Sequence, residues 1–407
     1  MVGMVFVAQN AYATNGYFTN ASGVNDQALG GAGVALPQDT LDAAVNPANM
    51  VFLGKQYDLG IAFFNPNRQY TVNGASGPPF PDLTPGTVKS DSKWFVIPSF
   101  GANWVIDENS SFGLSIFGNG GMNTDYPTNT FNNFSPAGSS SPTGVDLMQL
   151  FIAPTYARKL APKHALGITP ILAIQRFEAR GLQPFDNPVF SSAPGNVTNN
   201  GYSYSYGYGA RIGYQGEIVP NLNLGLAYQT KTYMTKLDEY KGLFADGGGF
   251  DIPSNWTAGL AFKATPELAF VFDVQRINYS QVKSIANPFA SPAQLGAENG
   301  PGFGWHDMTI YKMGVQWQSS KEWIWRAGYS IGNQPIRESE VLFNILAPGV
   351  IEQHATVGFT RVMANNNDLN FAFTRAFQHS VTGPNPFDPA QTIELKMDQW
   401  QIAASYS

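Results

Sequence analysis

From Tyr57 onward, hydrophobic and polar positions alternate with a period of two, the signature of strands with two unlike faces. Tyr57, Leu59, Ile61 and Phe63 share one face, against Asp58, Gly60 and Ala62 on the other. Trp94, Val96, Pro98, Phe100, Ala102 and Trp104 form a second stripe. The longest runs through Tyr202, Tyr204, Tyr206, Tyr208, Ala210, Ile212 and Tyr214, and its opposite face carries Ser203, Ser205, Gly207, Gly209, Arg211 and Gly213. Similar stripes follow in Leu222 to Tyr228, Trp256 to Phe262, Leu268 to Val274, Tyr311 to Trp317 and Trp323 to Tyr329, with Lys263, Asp273, Lys312 and Arg326 facing the other way.

The connections between these segments also alternate. Short polar breaks at Asp107 to Ser111, Leu160 to Lys163, Val219 to Asn221, Thr265 to Glu267, Ser319 to Lys321 and Ala364 to Asp368 take turns with long stretches rich in Gly, Pro, Ser and Asn. The long ones lie near Gln69 to Lys93, Asn123 to Gly144, Gly181 to Gly201, Lys236 to Asn255, Lys283 to Trp305, Asn333 to Ile351 and His379 to Thr392. Six short turns and seven long loops imply about fourteen antiparallel strands, with both ends on the short-turn side, as in a transmembrane β-barrel of an outer membrane. Several loops carry apolar patches, such as Pro78-Pro79-Phe80 and Phe343-Asn344-Ile345-Leu346.

A soluble sandwich also alternates, and composition separates the two. Charged residues make up 13% of the 407 and aromatics 14%, with 42 glycines, so the chain is poor in charge and rich in strand and turn residues. Aromatics sit at stripe ends (Trp94, Trp104, Trp317, Trp323, Trp400), and no outward stripe has a charge at its middle, where Lys or Arg costs about 2–4 kcal/mol in lipid. No apolar run approaches the roughly 20 residues of a membrane helix. A net charge of −6 without a basic cluster argues against nucleic acid as a partner. The absence of cysteine excludes thiolate metal sites, cysteine nucleophiles and disulfides.

The first 54 residues differ from the rest. Apolar Met1 to Ala8, followed by Ala11-Tyr12-Ala13, reads as a signal peptide remnant spanning 1–13 that leaves Thr14 as the mature start. Residues 14–54 lack alternation and are rich in small and polar residues, as in Gly30-Gly31-Ala32-Gly33. A barrel of about fourteen strands has a lumen wider than its side chains fill, so this segment is the expected plug, with 55–407 as the barrel. Asp39 is placed to cap a short helix from Thr40 to Val45 that Pro47 ends.

Little in the chain points to catalysis. Gly31-Ala32-Gly33 lacks a preceding strand, and His164, His306, His354 and His379 are scattered without metal-ligand spacing. The one run with Gly-x-Ser-x-Gly spacing, Gly328-Tyr329-Ser330-Ile331-Gly332, continues an alternating stripe and does not stand at the strand-to-helix turn that a nucleophile elbow requires. A Ser/His pair built across strands leaves no local signature, so an outer-membrane lipolytic enzyme stays open as an alternative. No cofactor is implied.

Gly16-Tyr17-Phe18, then Gly30-Gly31-Ala32-Gly33-Val34-Ala35, then Asn46-Pro47-Ala48 resemble the N-terminal hatch of the FadL/TodX family of outer-membrane long-chain fatty acid and hydrocarbon transporters. Ser111 to Ile116 resembles that family's third strand, Leu222 to Lys231 its seventh, and Arg326-Ala327-Gly328-Tyr329 a later one. The resemblance implies a hatch inside a fourteen-stranded barrel, a hydrophobic ligand captured among the loops, and release through a sidewall gap where the third strand kinks. On this chain the kink falls at Gly118, Gly120 and Gly121; glycines inside a strand independently suggest a bulge. Tyr17 and Phe18 would line the ligand pocket. Family members hold a ligand carboxylate with lumen cations, for which the candidates are Arg176, Arg211, Lys312 and Arg326. Parity points the last three inward and Arg176 outward. Any of those three could instead form a structural ion pair with Asp273 or a hatch carboxylate.

The expected function is passive uptake of long-chain fatty acids or related hydrophobic compounds across a Gram-negative outer membrane, by a monomer set among lipid and lipopolysaccharide. Uptake of aromatic or aliphatic hydrocarbons is the alternative within transport, and a structural or adhesive barrel the alternative outside it.

Overall fold

The computed structural model describes residues 15–75, 81–135, 138–364 and 367–407. The signal segment and Pro78-Pro79-Phe80 lie outside them. Fourteen strands run round a closed barrel: β1 (Gln56–Asn73), β2 (Phe95–Asp107), β3 (Ser110–Asp125), β4 (Gly144–Ala161), β5 (His164–Arg180), β6 (Ser203–Val219), β7 (Leu222–Gln229), β8 (Asn255–Lys263), β9 (Leu268–Ile277), β10 (Met308–Gln318), β11 (Trp323–Gly332), β12 (Gln353–Val362), β13 (Asp368–Asn385) and β14 (Asp388–Tyr406). Each pairs antiparallel with its sequence neighbour, and β14 closes the ring on β1 from Leu59↔Tyr406 to Asn73↔Thr392. Two further short strands, Gly86–Lys89 and Tyr233–Met234, pair with β1 and β6.

The stripes read from the sequence are the outer wall. Leu59, Phe63, Tyr206, Ile212, Leu226, Phe272, Tyr311 and Trp317 are exposed, whereas Asp58, Arg211, Asp273, Lys312 and Arg326 on the opposite face are buried. A sandwich would bury the apolar face; here it faces outward, toward lipid. The six short connections all lie at the end that holds the start of β1 and the end of β14.

The opposite rim is uneven. Strands β7 to β12 have 8 to 11 residues, whereas β1, β3 to β6, β13 and β14 have 16 to 19. One expectation fails here: His379 to Thr392 is not a loop. Strand β13 runs to Asn385 and β14 starts at Asp388, with Asn385↔Asp388 paired across a two-residue turn. The prolines that suggested a loop are tolerated because β13 has lost its β12 partner beyond Ala376, and β14 has no β1 partner before Thr392. Pro384 and Pro389 therefore sit in strands with one open side, where a missing N–H costs no ladder bond.

Residues 15–54 fill the lumen. They form a short helix, Val24–Ala28, and two 3-10 turns, Thr40–Ala44 and Pro47–Phe52. Asp39 caps the first turn through Leu41 N–H, as expected, but Pro47 opens a second turn rather than only ending the first. Proline suits the first position because that N–H has no intrahelical partner. The largest apolar cluster sits between this segment and the loops of the long-loop mouth, joining Tyr17 and Phe18 to Phe185, Phe250, Trp305 and Leu342.

Candidate ligand path

Inward glycines decide how the hatch lies against the wall. A Cβ at Gly167 of β5 would stand 2.3 Å from the Pro47 carbonyl carbon, and one at Gly213 of β6 2.0 Å from Asn46 Oδ1. With no side chain there, Asn46 donates to the carbonyls of Val34 (2.7 Å) and Tyr214 (2.9 Å) and accepts from Ala48 N–H (3.1 Å). The Asn-Pro-Ala motif thus ties two hatch passes to β6.

The three inward cations also meet hatch or wall oxygens. Lys312 Nζ donates to the carbonyls of Asn20 (3.0 Å) and Gly31 (3.2 Å). Arg211 donates to Ala43 carbonyl (2.9 Å) and to Gln229 Oε1. Arg326 reaches Gln316 (2.8 Å), Thr360 (2.6 Å) and Gln38 (2.9 Å). Asp273 accepts the N–H groups of Gly33 (2.8 Å) and Val34 (3.0 Å), so it holds the hatch directly. Among the described residues, none of the three cations forms an ion pair within 4.0 Å. Arg176 is on the outer face, as parity indicates, bridged to Asp146 (3.1 Å) and stacked 4.3 Å above the Tyr202 ring. It does not line the cavity that Arg211 and Lys312 share.

Hatch carboxylates are enclosed. Burial, then the neighbouring Asp58 charge, pushes Asp39 up to about 7. Burial also raises Asp42 and Asp26, and neither carboxylate oxygen of Asp26 meets a donor among the described residues.

The glycine-rich part of β3 lies within the strand and carries a bulge between Gly118 and Gly120 in its pairing with β4. On the other side, pairing with β2 stops at Phe100↔Ile116, because β2 before Phe100 is joined only to β1. The unpaired edge of β3 is taken by the hatch tip: Gly121 N–H donates to Tyr17 carbonyl (2.9 Å), and Thr19 N–H to Asn119 carbonyl (3.1 Å). A Cβ at Gly120 would stand 2.1 Å from the Tyr17 oxygen, so this approach requires glycine. Between β2 and β3 a cavity of about 30 Å³ opens, lined by Ile61, Ile97, Ser99, Phe117, Gly118 and the hatch residues Thr19, Ala21, Ser22, Val24 and Gln27.

Behind it lies a second cavity of about 50 Å³ that shares Thr19, Ala21, Ser22 and Phe117. Phe18 roofs it, Ala44 and Val45 add apolar surface, and Arg211 and Lys312 both reach it with no carboxylate in its lining. A third, apolar cavity of about 30 Å³ lies among the loops, walled by Phe177, Phe185, Phe244, Phe303, Phe343 and Leu346. Tyr17 sits between the loops and the hatch in an aromatic cluster with Phe18, Phe250, Tyr279 and Trp305. Sequence reading missed Tyr279 and Trp305, which lie in or beside a loop where no period marks an inward position. Ser330 and His354 do meet across β11 and β12 (3.2 Å), both fully enclosed.

Similar folds are known. The P. putida toluene transporter TodX superposes with a TM-score of 0.70 at 18% identity, over 95% of this chain and 98% of that one. A Pseudomonas aeruginosa FadL homologue gives 0.72 at 15% identity, over 96% and 99%, and the Ralstonia pickettii toluene transporter TbuX 0.62 at 16%, over 95% and 98%. No curated protein matches by sequence. Residues 4–404 match the family described as outer membrane protein transport protein (OMPP1/FadL/TodX), and the chain belongs to that family of outer-membrane transport proteins.

Proposed function

We propose that this barrel takes up long-chain fatty acids and similar amphiphiles by passive diffusion, without cofactor or covalent chemistry. A tail enters among the loop aromatics, the head group rests beside Arg211 and Lys312, and the molecule leaves between β2 and β3 when the hatch tip moves. The supporting observation is the cavity under Phe18, whose largely polar lining holds two cations and no carboxylate, with Phe18, Ala44, Val45 and Phe117 as its apolar part. Lys312 spends two of its three donors on hatch carbonyls, and Arg211 two of its five in the bonds described above, so each has capacity for a carboxylate. Apolar burial at about 25 cal/mol per Å² supplies affinity for the tail. Residues 14–54 act as the hatch and 55–407 as a monomeric barrel among outer-membrane lipid and lipopolysaccharide.

The competing reading is uptake of neutral hydrocarbons, supported by the toluene transporters among its structural neighbours. Cells lacking their own transporter and expressing the protein separate the two. Labelled oleate enters on the first reading and falls about tenfold or more with Arg211→Gln plus Lys312→Gln, the scale of a lost charge-assisted hydrogen bond. Toluene uptake indifferent to both changes, with no oleate uptake by the unaltered protein, overturns it.

A further inference from the structure

The tip of the hatch is held by one side chain that belongs to the loops. Tyr279, fully buried, accepts the N–H of Tyr17 on its hydroxyl (3.2 Å) and donates the hydroxyl proton to the Asn15 carbonyl. Those two backbone groups lie on the reverse turn Asn15 to Phe18, whose next bonds are the ones to β3. Gly16 fits the turn at φ +65°, and a Cβ there would stand 2.5 Å from the Tyr279 oxygen.

The same loop builds the apolar cavity. Ser284, five residues after Tyr279, lines it together with Phe303, and Phe303 N–H bonds the Ser284 carbonyl while Trp305 N–H bonds that of Ile285. The Trp305 ring stands edge-on to Tyr279 at 5.1 Å, and its Nε1 donates to Asn344 Oδ1 (2.6 Å). Asn344 lies between Phe343 and Leu346, which form the facing wall. One wall is thus five residues from Tyr279, and the facing wall is tied through Asn344 to the Trp305 ring that packs against it.

We propose that Tyr279 is a positioning residue that couples occupancy of the loop cavity to opening of the wall gap. A cavity of about 30 Å³ admits no acyl tail as it stands, so a tail must spread Phe303 from Phe343 and Leu346. That displacement carries Tyr279 and Trp305, the Asn15 and Tyr17 backbone loses its clamp, and the tip leaves β3. A ligand shifts such an equilibrium only by binding the spread state more tightly, and the coupling is reciprocal. The tip must therefore loosen when the clamp is removed without ligand.

This inference rests on uptake of a tailed ligand, and its test separates the two. Tyr279→Phe keeps the ring and removes both hydrogen bonds. In detergent-solubilised full-length protein without ligand, amide exchange at Gly121 and Thr19 is expected to rise about tenfold, the effect of losing one to two hydrogen bonds. Oleate is expected to raise the same exchange in the unaltered protein and to add little in the variant. Gly16→Ala, which pushes the turn off Tyr279 from the other side, is expected to match Tyr279→Phe, and heat-modified gel mobility confirms that each barrel is folded. Unchanged ligand-free exchange in both folded variants overturns the clamp, whatever the cell transports. Loosened exchange in the variants with no oleate uptake by cells leaves the clamp standing and overturns the fatty acid reading instead.

Discussion

At the scale of single residues, the wall and hatch are joined by side chains that satisfy buried backbone groups. Asn46 is the densest such joint, since one amide serves two carbonyls and one N–H. Asn46→Ala leaves these groups unpaired in a largely buried interface, which costs about 1–3 kcal/mol each where water cannot replace the bond. The expected outcome is a barrel that still resists heat in detergent gels but whose segment 33–50 exchanges amide hydrogens faster; a hatch as protected as before would show that Asn46 carries no weight. Parity alone identifies Arg211, Lys312 and Arg326 as inward, because a strand fixes side-chain direction every second residue. It cannot say that Arg326 reaches Gln38 while the other two share a cavity, since that depends on where an aperiodic hatch threads. Tyr279 and Trp305 were illegible for the same reason: they act from irregular backbone, and their partners are 262 and 39 residues away.

At the scale of elements, regular strands were readable and their outer ends were not. Alternation and short turns are local, so the six short connections and the course of β1 to β14 follow from them. The hairpin 379–392 was misread because proline and glycine mark loops only when both strand edges are paired. The hatch adds a pH dependence. Asp39 lies near 3.9 in an unfolded chain and about 7 in place, so the folded state binds the extra proton between those values. Its contribution to hatch seating is full below about 4, declines as pH rises and is lost above about 7. Asp26 and Asp42, also raised by burial, act in the same direction. After correction for intrinsic rates, hatch amides 23–45 are expected to exchange faster at pH 8 than at pH 5, and Asp39→Asn is expected to reduce that difference. An identical pH response in the variant would assign the effect to other groups.

At the scale of the whole molecule, wall and plug have separable sources of stability. The ring closes through backbone ladders, which need nothing from residues 15–54, and its outer face carries the apolar stripes. Its inner face carries Asp58, Asn103, Arg211, Asp273, Lys312 and Arg326, groups that water can solvate once the hatch is gone. A soluble protein stripped of its interior would collapse, because its core would be apolar; a barrel with a polar lumen exchanges protein hydrogen bonds for hydration. Deleting residues 15–54 is therefore expected to leave a barrel that inserts and migrates as a folded band. It should also admit hydrophilic solutes too large for general pores, seen as sensitivity to a bulky antibiotic, and lose saturable oleate uptake. The gap between β2 and β3 makes the loss of saturable uptake the sharper outcome. With the tip absent, nothing among the described residues pairs with the β3 edge at Gly120 and Gly121 from the lumen side, so passage to the wall no longer waits on a ligand. Selective, saturable uptake that survives the deletion would place the gate in the loops and leave the hatch a structural filler.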